Sequence, residues 1–275
     1  TDRLVLFVGA GVSANSGVPT WKQLICEMKK ELPNSISYET DDLKVAQAYK
    51  DIRGEKEYLD KVKEVLRHNK VIPNPIHEAI FNLNPVHILT TNYDDLLEQE
   101  LENEFKQYDI IREDLDLPNM IYSGALVKMH GDYRKNNIVL TETDYYNYSK
   151  NFPLIRAFIQ SVFATKLVVF IGFSFNDLNL KMILNEVKNI LGERMQRAYL
   201  ISLTEPDALT IKYFEKRHIN IVYLGESETS TLLNSHNRSS LEEAKISKLS
   251  SLGRKLYDYL RIIKDADFLN ATNPV

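Results

Sequence analysis

Asn92 and His130 are the two side chains whose chemical types and positions best suit catalysis in this sequence. Asn92 lies directly after the apolar run Val86–Leu89, within Thr90-Thr91-Asn92-Tyr93-Asp94. Its amide offers both a hydrogen-bond donor and an acceptor, so it is suited to binding sugar hydroxyls or a water molecule. His130 follows the strand candidate Ala125–Met129, and an imidazole there can act as a general base near neutral pH.

Each of these residues also has a purely structural interpretation. Asn92 and Asp94 are favoured helix N-cap types, and Asp95 is equally able to cap the helix that follows. A single histidine such as His130 is more often a hydrogen-bonded structural group than a catalyst. The two motifs taken separately therefore leave both interpretations open.

The most glycine-rich turn is GAGVSANSGVP, from Gly9 to Pro19. Gly9, Gly11 and Ala14 fit the pattern G-x-G-x-x-G/A directly after an apolar strand, where backbone N–H groups can meet a pyrophosphate. A tight strand–helix turn that needs glycine is the alternative. The acidic residue that a dehydrogenase carries at the end of its second strand is not evident, so an ordinary dehydrogenase is disfavoured.

A fourth polar cluster runs from Gly172 to Asp177, after the apolar strand Leu167–Ile171. Gly172 and Ser174 are suited to hydrogen-bonding a phosphate or a ribose. Asn176 or Asp177 is at least as well suited to capping the next helix.

The elements that carry these clusters predict an α/β fold. Leu4–Val8, Val86–Leu89 and Leu167–Ile171 are continuous apolar runs, typical of strands buried on both faces of a parallel sheet. Further strands are predicted at 109–111, 125–129, 198–201 and 219–224, and helices at 21–32, 41–68 with a break near Gly54, 75–83, 94–104, 153–164 and 177–191. Strands that alternate with helices predict a Rossmann-like, doubly wound, mainly parallel sheet, whose ligands bind beyond the carboxyl ends of the strands.

The chain is expected to divide into three parts. Residues 1–225 form the α/β domain, with a helical insertion at about 35–83. Residues 226–240, rich in Ser, Thr, Asn and Glu, form a flexible linker or loop. Residues 241–275 hold a C-terminal helix, predicted over about 240–264, which we expect to lead to a further domain outside this sequence. The native start is also expected to lie before Thr1.

Composition excludes several classes of function. The net charge is −4 and the basic residues are scattered, so binding to nucleic acid through a basic face is not expected. There is no apolar run long enough to span a membrane. Cys26 is the only cysteine, which excludes a disulfide within the chain and a cysteine-based zinc site. A cytoplasmic location is the default expectation.

Taken in order, the four clusters resemble the sirtuin (Sir2) family. The turn after the first strand matches that family's G-A-G-x-S-x-x-S-G-x-P at every fixed position. TTNYD resembles its T-Q-N-x-D, MHG resembles its histidine motif, and GFS resembles its G-T-S. The combination is far more specific than any one motif.

The resemblance implies a role for each matched residue. Asn92 would orient the ribose and the attacking water, Asp94 would hold the nicotinamide carboxamide, and His130 would be the general base. The remaining residues expected to line the dinucleotide are Gly9, Ala10, Gly11, Ser13, Pro19, Trp21, Thr91, Gly172, Ser174 and Asn176.

Two departures from the family pattern narrow this expectation. Protein deacylases of the family carry a four-cysteine zinc module after the histidine motif, and a chain with one cysteine cannot. Where the family reads P-D-F-R, this chain reads Pro19-Thr20-Trp21-Lys22, so the usual loop on the nicotinamide side is changed and Trp21 is placed to stack on the ligand.

A zinc-free domain of this kind resembles the Sir2-like domains of bacterial anti-phage systems, including Thoeris and the defence-associated sirtuins. The resemblance implies an NAD⁺ hydrolase that depletes NAD⁺ on infection, assembles as a homo-oligomer, and is controlled by a regulatory domain or partner protein. Two alternatives remain open. One is an NAD-dependent protein deacylase or ADP-ribosyltransferase, and the other is a non-catalytic module that binds NAD or ADP-ribose.

Overall fold

Seven parallel strands form one sheet at the centre of the molecule. The computed structural model of the chain describes residues 3–33, 39–67, 71–225 and 239–272, with side chains except at 67 and 266–272. The strands are β1 (Leu4–Val8), β2 (His87–Thr90), β3 (Tyr108–Ile111), β4 (Gly124–Lys128), β5 (Leu167–Ile171), β6 (Ala198–Ile201) and β7 (Ile219–Val222). The predicted doubly wound α/β class is confirmed, and every strand pair of this sheet is parallel.

The order of the strands across the sheet is β3-β4-β2-β1-β5-β6-β7. β1 is therefore flanked by β2 on one side and β5 on the other, and the chain winds outward from it in both directions. The loops after β1 and β5 diverge at this topological switch point, where parallel α/β sheets form their ligand crevice. The glycine-rich turn and the GFS segment follow these two strands.

Both faces of the sheet are covered by helices, which explains the continuous apolar runs. In β1, Val5 and Phe7 pack on one face while Leu6 and Val8 pack on the other, and all four are buried. The helices, numbered along the described chain, are α1 (Ala10–Ser13), α2 (Trp21–Lys30), α3 (Asp42–Arg53), α4 (Glu55–Arg67), α5 (Pro75–Asn82), α6 (Leu96–Asn103), α7 (Glu142–Tyr146), α8 (Tyr148–Asn151), α9 (Pro153–Thr165), α10 (Leu178–Leu191), α11 (Ala208–Glu215), α12 (Ser240–Ile246) and α13 (Ser251–Thr272). Helices α9 and α10 cover the Val5 face, and α5, α6 and α13 cover the Leu6 face.

Helices α2, α3 and α4 form a third apolar cluster beside the sheet. Thr20 begins α2 with a capping box, in which its hydroxyl oxygen accepts from the Gln23 N–H and the Gln23 side chain accepts from the Thr20 N–H. Asp41 caps α3, and Gly54 separates α3 from α4 as the sequence predicts. These caps place Trp21 and the start of α3 beside the carboxyl ends of the strands.

Two helix predictions were wrong in detail. The single helix expected over 240–264 is instead α12 and α13, because the Ser250 N–H and hydroxyl donate to Oδ1 of Asn15 and break the run. The helix expected from 94 begins at Leu96. Of the predicted linker, residues 226–238 lie outside the described residues. Within the described ranges, no helix is both long and apolar enough to cross a membrane.

Candidate active site

A cavity of about 780 Å³ opens at the carboxyl ends of β1, β2, β4 and β5. Asn92 and His130 both line it. So do Ala10, Gly11, Ser13, Pro19, Trp21, Thr91, Asp94, Gly172, Ser174 and Asn176. The four motifs, scattered from residue 9 to residue 177, therefore converge on one space. Gly9 is the exception among the residues predicted from the sequence, since it lies beneath the cavity wall.

The turns after β1 and β5 touch each other through their backbones. The Gly9 N–H donates to the Ile171 carbonyl and the Gly11 N–H to the Gly172 carbonyl, both at 2.9 Å. A Cβ on Gly9 would lie 2.5 Å from the Gly172 oxygen, and one on Gly11 would lie 2.8 Å from it. These glycines are needed for close approach, and their N–H groups are occupied by this contact rather than free for a pyrophosphate.

Asn92 is held by hydrogen bonds on both its backbone and its side chain. The Thr90 hydroxyl donates to the Val8 carbonyl at 2.8 Å, and the Asn92 N–H donates to the Thr90 oxygen at 3.0 Å. Nδ2 of Asn92 donates to the Ser13 hydroxyl oxygen at 3.1 Å. Its side chain therefore caps no helix. Oδ1 accepts no hydrogen bond from the described part of the chain and is left for a ligand or a water.

Asp94 combines a structural contact with a place in the cavity wall. Its Oδ1 accepts from the Leu96 N–H at 3.2 Å, although the N-cap position of α6 is Asp95 and not Asp94. Its carboxyl group also accepts from the Ser13 hydroxyl, which links it to Asn92. Burial raises the pKa of Asp94 above its usual value, although Lys128 and these hydrogen bonds oppose the shift.

His130 follows β4 on a sharp turn. Gly131 has φ of +72°, and a Cβ there would lie 2.2 Å from the Asn137 carbonyl oxygen, so only glycine fits. Nε2 of His130 lies 3.1 Å from Oδ2 of Asp177. The Tyr145 hydroxyl donates to the same carboxylate oxygen at 2.9 Å, and the Tyr145 ring packs edge-on against the imidazole.

Asp177 is the acidic partner that the sequence did not identify. Of the two cap candidates, Asn176 and Asp177, it is Asp177 that caps the next helix, because its Oδ1 accepts from the Leu180 N–H at 2.7 Å. Burial alone would raise the pKa of Asp177, but attraction to His130 and the hydrogen bonds from Leu180 and Tyr145 lower it below its usual value. A carboxylate therefore faces His130, and the cap motif was its only signal in the sequence.

The outer wall of the cavity is acidic on the side of the helical cluster. Trp21 donates from Nε1 to Oδ2 of Asp42 at 3.0 Å, which fixes the indole against the start of α3. Asp41 and Asp42 both line the cavity, with Lys22 as a basic neighbour. Across the opening, Ser174 and Asn176 are exposed. Together with Asp94 and Asp177, these carboxyl groups favour a ligand or transition state that carries positive charge.

Metal ligation is not indicated for this site. Over the described ranges, no group of three or more His, Cys, Asp and Glu side chains is arranged to hold a metal ion. The groups that the cavity does present are an amide, an imidazole paired with a carboxylate, and a second buried carboxyl group. This set suits acid–base chemistry and the positioning of a sugar.

Comparison with known proteins agrees with the motifs. Residues 86–222 match the family model described as a SIR2-like domain. Defense-associated sirtuin 2 of Bacillus subtilis is 34% identical over 251 residues, which cover 87% of this chain and 24% of that protein. NAD(+) hydrolase ThsA of Bacillus cereus is 30% identical over 249 residues, which cover 86% of this chain and 52% of the relative.

A third similar protein comes from a bacterium of another genus. NAD(+) hydrolase ThsA of Acinetobacter baumannii is 30% identical over 204 residues, covering 73% of this chain and 42% of that protein. The chain thus spans between a quarter and about half of the length of these relatives. The family model begins at the strand that precedes Asn92 and takes in His130 and Asp177. On these matches and on its fold, the chain belongs to the SIR2-like family and is similar to bacterial proteins named defense-associated sirtuin and ThsA.

Proposed function

We propose that this protein hydrolyses NAD⁺ to nicotinamide and ADP-ribose. The observation that carries the proposal is that Asn92 and His130 face one cavity, Asn92 held through Ser13 and His130 set against Asp177. The names of the ThsA relatives, NAD(+) hydrolase, support the same reaction.

We assign the two ends of the dinucleotide to different parts of the cavity. We assign the sugar–phosphate part to the exposed Ser174 and Asn176 and to the backbone surface at Ala10 and Gly11, where the Gly11 N–H is already bonded to Gly172. Asp94, buried beside Ser13, is assigned to the nicotinamide carboxamide. Trp21, held by Asp42, offers a flat apolar surface for a ring.

In the proposed reaction the bond between C1′ of the ribose and the ring nitrogen breaks, and its electron pair stays with nicotinamide. Nicotinamide leaves as a neutral molecule and an oxocarbenium-like ribose remains. Oδ1 of Asn92 orients a water toward C1′, and His130 takes the proton that this water loses as its oxygen bonds to carbon. Asp177 stabilises the imidazolium that forms, and the proton is then released to solvent.

The electrostatics of the site support a cationic transition state. The buried carboxylate of Asp177 and the acidic residues Asp41 and Asp42 provide negative charge around the cavity. Water is favoured over a protein acceptor because the chain has one cysteine and cannot form the zinc module that frames the peptide cleft of deacylases.

The biological setting is part of the same proposal. We propose a bacterial, cytoplasmic protein that depletes NAD⁺ in anti-phage defence, and the words defense and NAD(+) hydrolase in the names of these relatives support defence and NAD⁺ hydrolysis. We propose that it acts as a homo-oligomer, under a regulatory domain or a partner protein that senses infection. The division into a domain at 1–225 with an insertion at 35–83, a linker at 226–240 and a C-terminal segment stays a prediction.

The test is to incubate the protein with NAD⁺ and to separate the products by chromatography, with no acylated peptide present. Hydrolysis predicts one nicotinamide and one ADP-ribose for each NAD⁺ consumed. Nicotinamide release that requires an added protein acceptor would favour the deacylase or ADP-ribosyltransferase alternative. Binding of NAD⁺ in calorimetry with the dinucleotide left intact would favour the non-catalytic module.

A further inference from the structure

Lys128 is a fully buried lysine two residues before His130, and the chemistry above does not use it. It is the last residue of β4 and its side chain has no exposed surface. Its ammonium nitrogen lies 2.8 Å from Oδ2 of Asp132 and 3.0 Å from Oε1 of Glu98. It also donates to two backbone carbonyls, those of Asp94 at 2.7 Å and Tyr93 at 3.2 Å.

The charges around Lys128 are balanced. Arg112 lies 3.3 Å from Asp132 and 3.4 Å from Glu98, so two cations face two carboxylates. Burial by itself would lower the pKa of Lys128, but attraction to Glu98 and Asp132 outweighs it and raises the pKa. The side chain is therefore an ammonium ion in its buried position.

A buried ion pair is by itself weak evidence of a stabilising role. Replacing a buried ion pair by well-packed apolar residues is often neutral or stabilising, because the charges must give up their hydration. The Glu31–Lys61–Glu64 contacts in the helical cluster show that this protein also places a lysine between carboxylates away from the cavity. What distinguishes Lys128 is the pair of carbonyls that it holds.

Those carbonyls belong to the loop that carries Asn92 and Asp94. The carboxylate of Asp132, on the other side of His130, binds the same ammonium nitrogen, so that Lys128 and Asp132 bracket the histidine turn. One ammonium group thus joins the loop after β2 to the loop after β4. The distance between Asn92 and His130 depends on how these two loops sit relative to each other.

We propose that Lys128 is a positioning residue, which holds the loop of Asn92 and Asp94 in register with His130. The inference rests on the proposed function for its effect on turnover, but its geometric part stands on the contacts alone. Glu98 and Asp132 anchor the ammonium group, and the carbonyls of Tyr93 and Asp94 are what it positions. Lys128 touches no substrate in this account.

The main test compares the double variant Lys128→Met/Glu98→Gln with wild type. Glu98→Gln is included so that Asp132 and Arg112 remain a neutral pair after the ammonium is lost. We expect kcat for nicotinamide release to fall about 10- to 100-fold, while KM for NAD⁺ changes less than about threefold, because the catalytic pair is misaligned and the binding surface remains. Lys61→Met, which disrupts a lysine–carboxylate cluster whose residues do not line the cavity, should leave kcat unchanged.

A spectroscopic measurement tests the geometry without using activity. The side-chain amide signals of Asn92 in a ¹⁵N-edited NMR spectrum are assigned by their absence in Asn92→Ala. We expect these signals to shift in the double variant and to stay in place in Lys61→Met. If the wild-type protein releases no nicotinamide, the proposed function fails and this measurement alone decides the positioning role.

A folded double variant with unchanged kcat and unmoved Asn92 signals would overturn the proposal. If the double variant does not fold, Glu98→Gln alone replaces it, because it keeps Lys128 and weakens only one anchor. In that variant we expect kcat to fall about threefold or more with a native near-ultraviolet circular dichroism spectrum. An unchanged kcat in folded Glu98→Gln protein, with the Asn92 signals in place, would contradict the proposal.

Discussion

The turns after β1 and β5 meet backbone to backbone, whereas the loops after β2 and β4 meet through side chains. In the backbone half of the site, formed by the turns after β1 and β5, Gly9 and Gly11 approach Gly172 so closely that a methyl group has no room. In the side-chain half of the site, formed by the loops after β2 and β4, Lys128 and its carboxylate partners join the loops that carry Asn92 and His130. The backbone half should therefore be disrupted by substitutions that add atoms. The side-chain half should be disrupted by substitutions that remove charges or hydrogen bonds.

The largest expected effect belongs to the backbone half. Gly9→Ala places a Cβ at 2.5 Å from a carbonyl oxygen that cannot rotate away, so the two turns must move apart. We expect a loss of about 1–3 kcal/mol in the free energy of unfolding, measured by urea denaturation, and a large rise in KM for NAD⁺. Ala14→Ser adds an atom on the exposed side of the same turn and is the control. Equal stability of both variants would remove the steric account of this half.

Asp177→Asn tests the side-chain half at the histidine. Asparagine still accepts from the Leu180 N–H, so the cap of α10 is kept while the charge beside His130 is lost. We expect kcat to fall about 10- to 100-fold with little change in thermal midpoint, because the imidazolium loses its counter-ion. Tyr145→Phe, which removes only one hydrogen bond to the same oxygen, should have a smaller effect. An Asp177→Asn variant as active as wild type would show that this carboxylate does not assist His130.

Ser13 and Ser174 lie on the turns after β1 and β5, and Ser13 also contacts the other half of the site through Asn92. Ser13→Ala removes the oxygen that joins Asn92 to Asp94, so we expect kcat to fall about tenfold and stability to fall by about 1–3 kcal/mol. Ser174 is exposed on the loop after β5, and Ser174→Ala should mainly raise KM. Steady-state kinetics on both variants distinguishes these outcomes, and the opposite assignment of kcat and KM would reverse the roles given to the two loops.

The variant with the smallest expected effect on turnover tests stability on the Leu6 face of the sheet. His77, on α5, accepts from the Asn74 N–H, and its buried Nε2 has no hydrogen-bond partner among the described residues. Burial lowers its pKa to about 4. Since the unfolded chain takes up this proton near pH 6.5 and the folded chain does not, stability is present above that pH and is lost as the pH falls toward 4.

The measurement for His77 is urea unfolding at about pH 7.5 and about pH 5, on wild type and His77→Gln. Glutamine keeps an acceptor for the Asn74 N–H without a titrating ring. We expect wild type to lose about 2 kcal/mol more than the variant between these pH values. An equal loss in both proteins would mean that His77 is protonated in the folded state. NAD⁺ turnover at neutral pH should be the same in both.

Much of the fold could be predicted because the sheet is buried on both faces. The runs Leu4–Val8 and Leu167–Ile171 stand out in the sequence since every position of the strand must be apolar. Helix ends were predictable where a local cap exists, as at Gly54. The break between α12 and α13 was not, because it depends on a contact between Ser250 and Asn15 at opposite ends of the chain.

In the candidate site, too, features set by local sequence could be predicted, and features set by contacts between distant segments could not. Its location could be predicted because the carboxyl ends of parallel strands share one edge of the sheet, and this places Asn92 near His130. The partners of these residues could not, because Asp177, Tyr145 and Lys128 act through contacts that join separate elements. Asp177 was interpreted only as a helix cap, since one of its oxygens does serve that purpose.

The most direct test of the central claim is nicotinamide release by wild type, Asn92→Ala and His130→Ala, with NAD⁺ binding measured on the same preparations by calorimetry. Both variants should bind NAD⁺, and each should release nicotinamide at least about 100-fold more slowly than wild type. Release at the wild-type rate by both variants would contradict it.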